Sequence, residues 1–262
     1  MNLQAFRYMG TEKRSWDFNS FRITLTHYPG SQQQPRHRHE NPTYFFLLDG
    51  EFIDESDELG SIMPGRFELL YHPSGAWHES RASKRGRIGL NLEPNEAWLA
   101  KSDLSLADLG HYRIDNDPVK GSELLRMVMN DFEEPDPESQ LMEIILPKTD
   151  TGSFPQSWQS RLTQLIREDR TTRWNLKSLA HELAIHPVYL ARVFRAKFGC
   201  SVTTYFLRQR LIDSSKMLLE GRLPVEVAYE NGYADQSHFA RNFRTFYGVT
   251  PTEFQHKWFQ KF

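Results

Sequence analysis

The chain has 262 residues and only one cysteine, Cys200. A lone thiol excludes an internal disulfide framework and is typical of proteins that work in a reducing compartment. Long apolar segments are also missing, because no run approaches the ~20 residues that a membrane-spanning helix needs. The first residues, MNLQAFRYMGTEKR, lack the basic start and apolar block of a secretory signal. These absences predict a cytoplasmic protein with no membrane partner.

The chain as a whole lacks a large excess of either charge, since its net charge is -2. The positive and negative residues are nevertheless unevenly distributed along the sequence. Residues 171–262 hold 13 Lys and Arg against 7 Asp and Glu, whereas the remainder holds 19 against 27. The last part therefore carries about +6 and the first part about -8. This asymmetry indicates that only the last part meets a polyanion, although chance segregation would give the same numbers.

The first hundred residues have the pattern of short strands. Four β-rich runs are separated by Pro, Gly and Ser turns, at the spacing of a sandwich or a small barrel. These runs are FRITLTHY, YFFLLDGEF, FELLYH and RIGLNL. We therefore expect residues 1–95 to form a β-barrel domain.

From about Asn95 the pattern changes to helices. The segments GSELLRMVMNDFEE and PQSWQSRLTQLIRED carry apolar residues at helical spacing, and the stretch EEPDPES separates them. We assign residues 96–157 to a helical region that serves as a linker or as a dimerisation surface. The apolar stripes are Leu124, Leu125, Val128 and Phe132 in the first segment and Trp158, Leu162, Leu165 and Ile166 in the second.

Residues 158–262 contain a rough internal repeat. Its copies, LKSLAHELAIHPVYLARVFRAKFG and VEVAYENGYADQSHFARNFRTFYG, each predict a short helix, a tight turn and a second helix that ends at a glycine. The segment VTTYFLRQRLIDSSKMLLEG predicts one long helix between them. Ala180 and Ala228 allow the two helices of each copy to cross closely, as in a helix-turn-helix unit. Because the second helix of such a unit enters the major groove, double-stranded DNA is the expected partner.

The second helix of the second copy separates into two faces. Phe239, Phe243 and Phe246 fall at helical spacing and form the expected inward face, and Asp235 is the expected N-cap. The outward face carries groups that can pair with base edges, although a solvated face explains any single charge as well. Its members are Gln236, Ser237, Ala240, Arg241 and Arg244, and those of the first copy are Val188, Ala191, Arg192 and Arg195.

The stretch AYENGYADQSHFARNFRTFYGVTPTEF resembles the signature of the AraC/XylS-type transcription regulators, and the likeness covers about Leu176 to Gln255. The resemblance implies two helix-turn-helix units whose recognition helices enter successive major grooves of a promoter operator. It also implies a small-molecule effector, a homodimer and contact with RNA polymerase. Carried over by position, the base contacts are Val188, Ala191, Arg192, Gln236, Ser237, Ala240 and Arg241.

The chain departs from that family pattern in three ways. Ala184 stands where the first turn commonly has glycine, and His186 stands where a capping Ser or Thr is common. Val225 and Val227 are two residues apart rather than three, which predicts a late start for the first helix of the second unit.

The segments HRHENPTYFFLLDGEF and PGRFELLYHPSGAWH resemble the two motifs of a cupin barrel. In metal-dependent cupins, two His and a Glu of the first motif and a His of the second bind the ion. Here His37, His39 and His78 are present, but the Glu position is Thr43. The resemblance to the regulators favours an effector pocket lined by these four residues, with no metal and no cofactor.

A metal at the three histidines nevertheless stays open, since three neutral imidazoles suit zinc or iron. Two His one residue apart on a strand point the same way, which is the geometry of shared ligands. His72 and Trp77 flank the second motif and are expected at the mouth of the pocket.

These patterns together predict an α+β multidomain chain with a cupin-like β-barrel, middle helices and an all-α C-terminal domain. The expected function is a sequence-specific transcription regulator that is not an enzyme and responds to a small-molecule effector. The alternative hypothesis is a metal-dependent cupin enzyme, such as a dioxygenase or isomerase, with a basic helical tail. Metal analysis separates the two, because the enzyme requires a stoichiometric ion.

Overall fold

The computed structural model describes residues 1–95, 112–145, 161–162, 164–165 and 174–261. The chain forms two compact units, the first of residues 1–125 and 133–147 and the second of residues 126–132 and 148–262. The domain boundaries inferred from sequence after residues 95 and 157 stay predictions, because the residues that follow the first and surround the second lie outside the described ones. None of the described helices is both long enough and apolar enough to cross a membrane.

The first unit is built on a sheet of nine described strands. All strand pairs are antiparallel except β1 with β4. The strands are β1 Asn2–Leu3, β2 Thr11–Asp17, β3 Phe21–Tyr28, β4 Gln33–His39, β5 Thr43–Ser56, β6 Gly60–Ile62, β7 Leu69–His72, β8 His78–Pro94 and β9 Arg113–Asp115.

The long strands β5 and β8 form the centre of this sheet, because β8 pairs with β3, β4 and β5 along its length. The predicted strand FRITLTHY is β3 with the same bounds, and RIGLNL is the second half of β8. Large apolar side chains such as Tyr44, Phe46, Leu90 and Leu92 are almost fully buried. Closure of the sheet into a cupin-like barrel stays a prediction.

The region 96–157 is not helical throughout, which corrects the sequence interpretation. Arg113–Asp115 is the strand β9, which pairs with β7. The reason is local packing: Tyr112 is buried in an apolar cluster of the sheet, and Ile114 packs against that cluster. An extended backbone is required to place both side chains there while β9 pairs with its neighbour.

Two helices follow, α1 Pro118–Met129 and α2 Pro137–Ile145. The four stripe residues predicted for the first helical segment are buried, as expected for an apolar face. In the second segment Leu162 and Leu165 are buried, whereas Trp158 and Ile166 lie outside the described residues.

The second unit contains six further described helices. The late start predicted for α6 is wrong, because Pro224 occupies its first position, where a fixed φ favours helix initiation. Val225 is therefore 52% exposed and Val227 is fully buried. The helices are α3 Leu176–Glu182, α4 Pro187–Phe198, α5 Val202–Leu219, α6 Pro224–Glu230, α7 Gln236–Tyr247 and α8 Pro251–Lys261.

Candidate nucleic-acid interface and effector site

Helix α7 turns one aromatic row inward. Phe239, Phe243 and Tyr247 are fully buried and follow one another at four-residue spacing. The predicted third member, Phe246, is only half-buried, because four-residue spacing carries the row to Tyr247. The guanidinium of Arg208 lies 3.5 Å from the centroid of the Phe246 ring. The structure therefore confirms Phe239 and Phe243 as inward residues and corrects Phe246.

Both ends of α7 are fixed locally. Asp235 is the N-cap, as predicted, and its Oδ1 accepts a hydrogen bond from the backbone N–H of His238 at 2.7 Å. At the other end Gly248 has φ 76°, a left-handed conformation that glycine adopts without strain. These caps determine which residues stand in the first turns of the helix.

The opposite face of α7 is polar and accessible. Glutamine and arginine side chains can pair bidentately with adenine and guanine in the major groove. The predicted DNA contacts on this helix share one face, where Gln236, Ser237, Arg241 and Arg244 are exposed and Ala240 is half-buried.

The equivalent face of α4 is less polar. Val188 is 72% exposed and Ala191 is half-buried, and such small apolar side chains can contact only a thymine methyl. Arg192 and Arg195 are exposed. Within the described part of the chain, these two arginines and the two of α7 form no ion pair with a carboxylate. Their charges are therefore available to a polyanion.

The turns of the two helix-turn-helix units share one backbone conformation. Ala184 in the first turn has φ 53° and Gly232 in the second has φ 67°. The alanine is therefore in a left-handed conformation that costs an L-residue free energy. His186 replaces the usual hydroxyl cap, and its Nδ1 accepts the N–H of Val188 at 3.2 Å. The two departures in the first helix-turn-helix unit thus keep the turn and cap geometry of the second helix-turn-helix unit.

The helical region that contains α3 to α8 is similar to known proteins. A family model described as a helix-turn-helix domain matches residues 179–257. The chain carries a helix-turn-helix domain. The virulence regulon transcriptional activator VirF of Yersinia enterocolitica is 26% identical over 96 residues, which are 36% of this chain and 35% of VirF. The arabinose operon regulatory protein of Escherichia coli strain K12 is 29% identical over 85 residues, which are 32% of this chain and 29% of that protein.

A third relative matches over most of its length. The uncharacterized HTH-type transcriptional regulator YijO of Escherichia coli strain K12 is 25% identical over 241 residues, which are 83% of this chain and 82% of YijO. The chain thus spans about a third of the length of VirF and of the arabinose regulator, and most of the length of YijO.

Four histidines of the first unit meet on one face of the sheet. His37 of β4 lies opposite His78 of β8, and Thr43 of β5 lies opposite His72 of β7. The four imidazoles, including that of His39, are buried. The ring centroids of His37 and His72 lie 4.2 and 4.1 Å from that of His78. The four predicted effector residues therefore line one cavity, and their effector role stays a prediction.

A buried carboxylate adjoins these rings. Asp54 Oδ2 lies 3.2 Å from His78 Nδ1 and 3.6 Å from His72 Nε2, and Oδ1 accepts the hydroxyl of Tyr112. Burial raises the pKa of Asp54, but its contacts with His72 and His78 outweigh burial and hold the pKa well below its usual range. Asp54 is therefore ionised, and His78 Nδ1 carries the proton of their hydrogen bond.

Three of these imidazoles, those of His37, His39 and His78, favour the neutral form. Burial, together with the neighbouring His78, lowers the pKa of His37 to about 4. Burial and His72 lower the pKa of His78 to about 4, and burial lowers that of His39 well below its usual value. The Nδ1 of His37 donates to the carbonyl of Pro35 at 2.8 Å, so the lone pair of His37 lies on Nε2.

Two positions differ from the sequence interpretation. His72 is not at the cavity mouth but inside the cluster, 5% exposed. Trp77 is half-buried and contacts the guanidinium groups of Arg36 and Arg38, with 5.6 and 5.1 Å to its ring. It precedes His78 directly, and neighbouring residues of an extended chain point to opposite faces. Thr43 lines the cavity, but its hydroxyl donates to a backbone carbonyl at 3.3 Å.

The cavity between these side chains is small, with a volume of about 20 Å³. Arg87 also lines it, and its Nη2 donates to Gln34 and to Ser80 Oγ. Among the described residues, Nε and Nη1 of Arg87 have no hydrogen-bond partner. A cavity of this size holds about one water molecule, which these donors would bind.

Asp54, Arg87 and Tyr112 were not found from the sequence. A signal existed for Asp54, because it follows Phe52 by two residues and both must lie on the same buried face of β5. A lone carboxylate on an apolar strand face is unusual and points to a partner. Tyr112 is distant in sequence from the cupin-like motifs, so no local pattern connects it with Asp54.

The N-terminal segment is held to the same unit by a second buried carboxylate. Both oxygens of Glu93 accept the backbone N–H of Phe6, at 3.0 and 2.9 Å. Tyr8 Oη and Asn41 Nδ2 donate to it at 2.8 and 2.9 Å. Burial raises the pKa of Glu93, although these hydrogen bonds oppose the shift. Leu3 and Tyr8 thereby line the histidine cavity.

Proposed function

We propose that the chain is a sequence-specific DNA-binding transcription regulator of the AraC type. The observation that supports this most directly is the exposed face of α7, which offers Gln236, Ser237 and Arg241 beside a fully buried aromatic row. The helix-turn-helix match and the three regulators similar to this chain point to the same function. The proposal includes a cytoplasmic location and no enzymatic activity.

DNA would be read by the second helix of each helix-turn-helix unit, which is α4 in the first unit and α7 in the second. The exposed arginines supply sequence-independent attraction to phosphates, and the groups on α7 supply base discrimination. Helix α5, with 18 residues, is about 27 Å long and joins the two units. This length is comparable to one DNA turn of about 34 Å, so the two helices can enter successive major grooves. In the first helix-turn-helix unit Arg192 carries most of the specificity, since the side chains of Val188 and Ala191 cannot hydrogen-bond.

Regulation would come from the first unit. We assign effector binding to the cavity lined by His37, His39, Thr43 and His78, and we assign a second copy of the chain and RNA polymerase as protein partners. The named activities of VirF and the arabinose regulator support a role in transcription.

The test is selection of bound duplexes by the full chain from a random double-stranded library. We expect an enriched motif with two parts, one per helix-turn-helix unit, whose affinity exceeds that for scrambled DNA by at least about 10³-fold. Equal affinity for selected and scrambled duplexes, in a protein that is folded by circular dichroism, would refute the proposal.

The clustered histidines favour one further candidate, a metal-dependent cupin enzyme. Three buried imidazoles with one nitrogen each within 4.8 Å of the others could hold an ion. Thr43 stands where metal-dependent cupins have their glutamate ligand, which counts against the enzyme. Turnover of a substrate that is lost in His37→Ala, without any selected DNA motif, would favour the enzyme instead.

A further inference from the structure

Arg87 of β8 is a buried cation that no carboxylate contacts. The residue is 5% exposed, and within the described part of the chain it forms no ion pair. The ring centroids of Tyr28, Phe45 and Phe52 lie 4.3, 5.1 and 3.9 Å from its guanidinium carbon. These rings attract the cation through their π faces but bring no negative charge. A buried charge is costly unless an opposite charge accompanies it, so Arg87 favours an anionic ligand.

The guanidinium also has hydrogen-bond donors to spare. Its Nη2 donates to Gln34 and to Ser80, but among the described residues Nε and Nη1 have no partner. Asp54 lines the same cavity, yet its carboxylate contacts histidine and tyrosine side chains and leaves these two donors unpaired. A carboxylate ligand would accept a charge-assisted hydrogen bond from either donor.

His78 offers an acceptor to the same cavity. Its Nδ1 donates to the Asp54 carboxylate at 3.2 Å, so the lone pair of the ring is on Nε2. This Nε2 is buried and has no hydrogen-bond partner in the described part of the chain. A ligand that only accepts hydrogen bonds would leave the lone pair unpaired, which is unfavourable in a buried site. The ligand must therefore also donate, as a hydroxyl group does.

A short hydroxycarboxylate meets both requirements. Its carboxylate accepts from Nε or Nη1 of Arg87, and its hydroxyl donates to Nε2 of His78. A simple carboxylate would leave His78 unpaired, and a neutral alcohol would bring no charge to Arg87. The cavity is small, about 20 Å³, which keeps the ligand short. Met9 lines the cavity as well, and rotation of this unbranched side chain can widen it.

We propose that Arg87 and His78 bind a short 2-hydroxycarboxylate, of which glycolate is the simplest, and that this anion is the effector of the proposed regulator. The second part rests on the proposed function, because it requires that the chain regulates transcription. Arg87 recognises the charge of the ligand, and His78, oriented by Asp54, recognises its hydroxyl.

Binding is tested by calorimetry on the full wild-type chain, treated with a chelator and then desalted. Glycolate is compared with propionate, which has a methyl group in place of the hydroxyl, and with glycolamide, which keeps the shape and loses the charge. We expect one glycolate per chain. Propionate and glycolamide should each bind at least about tenfold more weakly, because the first leaves a buried acceptor unpaired and the second loses a charge-assisted hydrogen bond.

Substitutions assign the two contacts. Arg87→Gln should abolish binding of glycolate, whereas Arg85→Gln, at an exposed arginine of the same strand, should leave it unchanged. His78→Phe should bind glycolate and propionate with nearly equal affinity, because the acceptor of the hydroxyl is gone. His72→Phe is the comparison, and it should still prefer glycolate at least about fivefold. The ligand series on the wild-type chain decides independently of whether these variants fold.

Several results would overturn the site. A wild-type chain that binds none of the three ligands holds only water in this cavity. Equal affinity for propionate and glycolate would show that no hydroxyl is recognised. A preference for glycolate that is lost in His72→Phe and kept in His78→Phe would move the hydroxyl to His72. Glycolate that binds only after zinc is added back would be the ligand of an ion and not of Arg87.

The effector role is tested with the duplex selected above. We expect glycolate to change the affinity of the wild-type chain for that duplex at least about fivefold, and to leave the affinity of Arg87→Gln unchanged. If glycolate binds but the affinity for DNA does not change, the anion is not the effector. If no duplex is selected at all, the proposed function fails, while the calorimetry still decides the anion site.

Discussion

Ala184 carries a backbone strain that its counterpart avoids. Its φ of 53° is left-handed, and at the equivalent turn of the second helix-turn-helix unit Gly232 has φ 67°. The Ala184 side chain is exposed, so replacing it loses no packing. The position was visible from sequence as a departure from glycine, but its backbone torsion was not.

We therefore predict that Ala184→Gly stabilises the first helix-turn-helix unit by about 0.5–1 kcal/mol, since glycine removes the left-handed penalty at a smaller entropic cost. Slower amide hydrogen exchange in peptides covering residues 176–198 is the measurement. The matched control is Gly232→Ala, which should accelerate exchange in α6 and α7. Faster exchange in Ala184→Gly would contradict the assigned strain.

The carboxylate of Glu93 holds the N-terminal segment in place, and every group that it contacts by a hydrogen bond is a donor to it. Phe6, Tyr8 and Asn41 all donate to its carboxylate, so an amide in its place would direct N–H groups at donors. We predict that Glu93→Gln speeds exchange of the Phe6 amide by at least about tenfold, the equivalent of roughly 1.4 kcal/mol.

Glu40 provides the comparison for this variant. It accepts a single bond from the Ala5 N–H at 3.2 Å and is exposed. Glu40→Gln should leave exchange at Phe6 nearly unchanged. Equal effects of the two substitutions would show that burial of Glu93 is not what holds the segment.

At the scale of elements, the sequence predicted those strands and helices whose position is determined by their own local apolar pattern. β3 was predicted with its bounds because FRITLTHY is rich in β-branched and aromatic residues. β4 is not among the four predicted β-rich runs, because QQPRHRH contains Pro35 and two arginines, although His37 and His39 were expected on a strand. It pairs with β8 across a register shift between Gln34 and His37. Such a strand is held by its partner rather than by its own propensity, and it carries two of the clustered histidines.

The face of α7 was predictable for the same reason. Apolar residues at four-residue spacing fix its inward side, which leaves Arg241 outward and exposed. The histidine site was only half predictable, because its motif residues are local but Asp54 and Tyr112 reach it through the sheet topology.

We predict that Arg241→Ala weakens binding to the selected duplex by about 1–3 kcal/mol and relaxes preference at one base pair, because a bidentate guanine contact is lost. Fluorescence anisotropy with single-base variants of the duplex measures both effects. Arg85→Ala, an exposed arginine of the sheet unit, is the charge-matched control and should bind as the wild type does. An unchanged discrimination ratio in Arg241→Ala would remove it from the reading face.

At the scale of the whole molecule, the uneven distribution of charge matters more for DNA binding than the nearly neutral net charge. The net charge is -2, yet the part that contains the helix-turn-helix domain carries about +6. We predict that raising salt from 50 to 200 mM lowers affinity for the selected duplex on the order of 10²-fold or more, as released counterions require. A filter-binding series over these concentrations measures the slope. A flat response would contradict a phosphate-directed basic domain.

Helix α5 has a consequence for the geometry of any operator. Buried along much of its length against both units, it fixes their mutual rotation as well as their spacing. Five extra base pairs between the two half-motifs would turn one of them to the far side of the duplex, out of torsional phase, and ten would restore the phase but at an unreachable distance. The chain would thus tolerate base changes at many positions far better than a single inserted nucleotide.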